Sequence, residues 1–111
     1  MGSERIKLKN NLPHTAEWVY FDDQGSFVAE FYDYSEDARE TFGRDIAYQV
    51  KVHSPDLETL LRHLQGEGAV EPDKQERILQ LMEEKFGSYF LIKKWLEEEQ
   101  IPYEKIFIDW A

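Results

Sequence analysis

The hydrophobic period of this chain changes once at Ser54 and changes back near Lys105, and that constrains the fold more than any other feature. Before Ser54 apolar residues recur at every second position, the spacing of strands. After it they recur at i, i+3, i+4 and i+7, the spacing of a helix face. A chain patterned this way gathers its strands first and its helices afterwards, with one strand left for the end.

In the first part, Ile6 and Leu8 alternate with Arg5, Lys7 and Lys9, which predicts a strand over 5–9 with a basic outer face. Asn10-Asn11-Leu12-Pro13 reads as a turn. Residues 17–22 and 26–33 are rich in aromatic and β-branched side chains. Asp22-Asp23-Gln24-Gly25 between them has the chemistry of a hairpin loop, with Gly25 free to take positive φ. Phe27, Ala29 and Phe31 are expected to face inward, and Val28, Glu30 and Tyr32 outward. Residues 45–53 give the cleanest alternation: Ile46, Tyr48, Val50 and Val52 are expected to be buried, Gln49 and Lys51 wet. A short helix is expected over 35–42.

Ser54-Pro55-Asp56 then places a cap, a proline and an acid where a helix begins. Leu57, Leu60, Leu61 and Leu64 form its core stripe, and Gly66 and Gly68 end it. A second helix opens at Pro72-Asp73, carries Ile78, Leu79, Met82 and Phe86 on one face, and stops at Gly87. Ser88 caps a third, with Leu91, Ile92, Trp95 and Leu96 as its stripe and Pro102 beyond its end. Ile106, Ile108 and Trp110 against Lys105, Phe107 and Asp109 restore period two. The expected fold is α+β: a mostly antiparallel sheet of four to five strands with three to four helices packed on one face, in a single domain over 1–111.

Charge bounds the partners. The formal balance is −10, and the stretch from Glu17 to Asp45 holds nine carboxylates against Arg39 and Arg44. Such a field repels nucleic acid and membrane surfaces and steers basic partners inward. Cysteine is absent, which removes disulfides, thiolate metal sites and cysteine nucleophiles and fits a reducing cytoplasm. No stretch approaches the roughly 20 apolar residues of a membrane span, and the first residues lack a signal-peptide core. The expectation is a cytoplasmic protein acting away from membranes.

Catalytic and metal constellations are weak. His14, His53 and His63 have no second ligand at zinc-motif spacing. Asp22-Asp23 beside Gly25 could wrap a cation but lacks the alternating acids of a calcium loop, and turns favour Asp and Gly on geometry alone. Nucleophile elbows, phosphate loops and dinucleotide fingerprints are all missing. No cofactor and no metal are expected. The basic strip of Arg5, Lys7 and Lys9 suits protection of a sheet edge.

The stretch from Trp95 to Ile106, through Ile101-Pro102-Tyr103, resembles the helix-to-strand passage of glutaredoxin-like proteins. That resemblance implies a helix, a turn and a strand; without cysteine it implies no redox activity.

What remains is the acidic, aromatic segment. Asp22, Asp23, Tyr32, Asp33, Tyr34, Glu36, Asp37 and Glu40 are its candidate partner-binding residues, with acids to steer and tyrosines to anchor. The expected function is a non-enzymatic module that docks or neutralises a basic protein, resembling toxin-immunity proteins in size and charge. One alternative is a DNA mimic that occupies a nucleic-acid-binding protein. The other is a small cofactor-free enzyme built on a carboxylate dyad.

Overall fold

The computed structural model describes residues 5–9, 14–34, 46–65 and 74–109. Five strands form one antiparallel sheet in chain order: β1 (Ile6–Lys7), β2 (Thr15–Phe21), β3 (Phe27–Asp33), β4 (Ile46–Val52) and β5 (Glu104–Asp109). Three helices separate β4 from β5: α1 (Leu57–Gln65), α2 (Lys74–Lys85) and α3 (Tyr89–Glu98). The class is α+β, as the change of period requires. The expected turn at 10–13, the helix over 35–42, the end of the first helix at Gly66 and Gly68, the Pro72-Asp73 start and Trp110 lie outside the described residues.

The alternation of strands sorts side chains to two faces. Val19, Phe21, Phe27, Ala29, Phe31, Val50 and Val52 share one face and join Leu60, Leu64, Ile78, Met82, Ile92 and Leu96 in one core. The opposite face carries Trp18 and Tyr20 on β2, Val28, Glu30 and Tyr32 on β3, and Ala47, Gln49 and Lys51 on β4.

Three local expectations are corrected. Ser54 does not cap α1: Ser54–Asp56 form a 3-10 turn behind His53, whose side chain makes no capping bond, and the α-helix starts at Leu57. The stripe of α3 keeps Ile92, Leu96 and the half-buried Trp95 against the core, but Leu91 is 51% exposed and Tyr89 is buried instead. The first turn is tied to β2, where the buried Glu17 carboxylate accepts the Tyr89 N–H. On β4 the alternation is right but burial is not: Tyr48 is 38% exposed and Gln49 only 9%. No described helix covers the sheet at Tyr48, which meets Phe107 of β5 at 5.2 Å between ring centroids. Gln49 is buried because its amide is satisfied on the far face.

The Ser88 cap is present, its side chain accepting the Leu91 N–H at 3.3 Å. At the other end of α3, Gln100 takes φ 57°, its N–H reaches Glu97 O, and the Ile101 N–H reaches Leu96 O. This paired closure is a Schellman ending, which places Ile101 in the core and aims the chain into β5. No described helix is long and apolar enough to cross a membrane.

Candidate functional site

The outer face of the sheet holds a polar network. The Tyr20 hydroxyl donates to Glu30 Oε1 at 3.1 Å, and Gln49 Nε2 donates to the same oxygen at 2.6 Å. Gln49 also donates to the Tyr20 oxygen at 3.2 Å. Strand register makes this possible, since Trp18, Glu30 and Gln49 lie in one row across β2, β3 and β4, with Tyr20 one row over. Burial first, and then the neighbouring Glu30 charge, push the Tyr20 hydroxyl up to about 12, so it remains a donor. Glu30 Oε2 faces Arg5 Nη1 at 3.6 Å, and the Arg5 guanidinium lies 4.4 Å over the Tyr20 ring. Lys7 stands 6.0 Å over Trp18. Two cations of the basic strip, Arg5 and Lys7, therefore lie over aromatic rings in cation–π contact.

Beside this network lies an open groove of about 480 Å³, lined by Arg5, Lys7, Ala16, Trp18, Glu30, Tyr32 and Tyr34. Tyr32 and Tyr34 stack at 5.9 Å between centroids. Tyr34 lies past the end of β3 and is held by the chain before β2: its N–H donates to His14 O at 3.0 Å, and the two rings meet edge-on at 6.0 Å. His14 adopts φ 60° to make this approach. The result is a cleft with aromatic walls, a carboxylate near its floor and two cations on one rim.

The sequence-derived residues do not converge. Tyr32 and Tyr34 line the groove. Asp33 belongs to the row of Thr15 and Ile46 on the opposite face. Asp22 and Asp23 sit at the β2–β3 hairpin, about 20 Å from the row of Ala16 and Tyr32 at ~3.3 Å per strand residue. Glu36, Asp37 and Glu40 lie outside the described residues. Asp22 is committed to its turn: Oδ1 accepts the Gln24 and Ser26 N–H groups at 3.0 Å each, and Oδ2 pairs with Lys51 at 3.0 Å. Partial burial alone would raise its carboxyl, but the Ser26 N–H, Lys51 and the Gln24 N–H together hold it below the usual carboxylate range. Gly25, at φ +77°, closes the loop.

Two acids counted in the field are not part of a wet acidic surface. Glu17 is 1% exposed and Glu30 4%. They face opposite sides of the sheet, Glu17 paired in register with Phe31 and Glu30 with Trp18, so they do not form a dyad. The described histidines also have individual partners: His53 Nε2 meets Glu104 at 3.0 Å, and His63 meets Glu99 at 3.3 Å. Among the described residues, no three His, Cys, Asp or Glu side chains gather as a metal site would require.

Sequence reasoning missed Trp18, Glu30, Arg5 and Lys7 as one site. A signal was present, because period two puts 5 and 7, 16 and 18, and 30 and 32 on one face; only the pairing register brings those three segments side by side. No protein-family model, curated protein or solved structure matches the chain.

Proposed function

We propose that this is a non-enzymatic binding module for a basic protein, and that the groove of Trp18, Glu30, Tyr32 and Tyr34 is where the partner is anchored. The observation that carries this reading is Arg5. Its guanidinium sits between the Glu30 carboxylate and the Tyr20 ring, the environment a cationic side chain from a partner would seek. The Arg5 side chain is 55% exposed and touches Glu30 through one long contact, so an incoming arginine or lysine can displace it. Trp18, Tyr32 and Tyr34 then provide rigid apolar area, the kind of anchor that dominates interface energetics. Lys7 on the rim faces the carbonyls of a bound extended segment.

The charge of −10 supplies steering. Field and anchor are separable in kinetics. Neutralising Asp33, Glu36 and Asp37 together slows association and flattens its salt dependence, whereas Tyr34→Ala raises the off-rate. The cysteine-free chain suits a reducing cytoplasm. The test is to identify the partner by affinity capture and then measure both rates for each variant. Unchanged rates in both would place the interface elsewhere.

A further inference from the structure

We infer that β5 is a self-association edge, and that two copies of this chain pair through it, antiparallel and centred on Phe107. Among the described residues β5 has a sheet neighbour on one side only, β4. Such an edge presents a row of backbone donors and acceptors to another strand. Natural edges are commonly blunted by proline, a bulge or charges on the strand. Glu104–Asp109 has no proline and an apolar middle, Ile106-Phe107-Ile108.

The sequence selects the occupant. Ile106-Phe107-Ile108 reads the same in both directions, and the flanking Lys105 and Asp109 are complementary in charge about Phe107. In a two-fold antiparallel pair centred there, Phe107 meets Phe107 of the second copy, Ile106 meets Ile108 twice, and Lys105 stands opposite Asp109 twice. Cross-strand pairs of opposite charge and of apolar residues favour this register. A shift of two residues in the pairing sum sets Lys105 against Phe107 and Glu104 against Ile108, losing both matches. Along β4, Lys105 pairs in register with Val50, and position 109 with Ile46.

The helix-covered face carries large, partly exposed rings at this edge. Phe107 is 48% exposed and Tyr48 38%. They continue into Phe31 and Phe90, whose ring centroids lie 6.3 Å from Tyr48 and 5.0 Å from Phe31 respectively. A two-fold axis normal to the sheet joins this ledge to its copy and extends the sheet to ten strands. Such a two-fold contact is isologous and closes on itself. The groove near β1 stays open on both copies, so the pair presents two anchoring sites.

Sedimentation velocity of the full chain at rising concentration tests this. The expected result is a shift from 13.2 kDa to twice that mass. The shift should sharpen with added salt, because two chains of −10 repel one another. Phe107→Asp should hold the monomer mass. Lys105→Glu and Asp109→Lys should each weaken self-association about tenfold, since opposite-charge pairs become like-charge pairs, and the double exchange should restore it. Circular dichroism identifies any variant that fails to fold, and the double exchange keeps the test decisive if Phe107→Asp does. A chain that stays at 13.2 kDa up to millimolar concentration overturns the proposal. So does a dimer untouched by folded Phe107→Asp, or a double exchange no better than either single one.

Discussion

The backbone N–H of Tyr89 donates to the buried carboxylate of Glu17, joining the first turn of α3 to the middle of the sheet across 72 positions of sequence. Glu17 Oε2 has no hydrogen-bond partner among the described residues. Burial raises the carboxyl above its usual value of 4.5, and the Tyr89 hydrogen bond only partly counters it. A raised folded value means the protonated form is favoured by folding. Its stabilising contribution is complete below about 4.5 and is lost as pH rises through the higher folded value.

Glu17→Gln removes that pH dependence while keeping an oxygen to accept the Tyr89 N–H. Urea midpoints of wild type and variant should diverge in favour of the variant above pH 4.5 and then run parallel. Glu17→Ala leaves the Tyr89 N–H unmet and should cost roughly 1–3 kcal/mol. Because this bond holds the first turn of α3 to the sheet, the near-ultraviolet signal of the helix's aromatic residues should also change.

Asp22 has the opposite sign. Its carboxyl is held below 3.8, so its contribution is present above that value and is lost as pH falls through the lower folded one. Asp22→Ala should cost about 1.5–3 kcal/mol at neutral pH, the range for hydrogen bonds to a charged group. Thermal melts across the acid range should show the wild-type advantage disappearing.

Gln100 occupies the left-handed position of the Schellman ending at φ 57°. That conformation disfavours a side chain and suits glycine. Gln100→Gly should therefore stabilise the chain by about 0.5–1 kcal/mol, read as a higher denaturation midpoint at an unchanged slope.

The element order and the sheet's two faces were legible in the sequence because they depend on local period. Phe27, Val50, Leu60, Ile78 and Ile92 each fall on the side their spacing indicates. Burial of polar residues was not legible. Glu17 and Gln49 look like wet positions, and their partners, Tyr89 and Glu30, lie far away in sequence. Only Leu91 departs from the α3 stripe, and the buried Tyr89 in its place meets Glu17 of β2, far away in sequence. The acidic segment was legible as charge but not as a surface, because Tyr32 and Asp33 are sequence neighbours that face opposite ways.

Anchoring at the groove predicts unequal effects among the tyrosines and acids. Tyr34→Ala should weaken partner binding by about 2 kcal/mol or more if it is a hot spot, while Asp23→Asn at the distant hairpin should change affinity little. Both variants should stay within roughly 0.5 kcal/mol of wild-type stability, since each residue is exposed. Calorimetry against the captured partner reads affinity, and thermal melts read stability.

Anchoring of a basic partner in the groove is tested by an amide NMR titration with a short arginine-rich peptide and with its glutamate-substituted counterpart. For the basic peptide, shifts should concentrate at Ala16, Trp18, Glu30, Tyr32 and Tyr34. Binding should weaken with salt and be lost in Glu30→Gln, and the acidic peptide should give no response. Shifts scattered over the whole surface, or equal binding of the acidic peptide, would rule out anchoring in the groove.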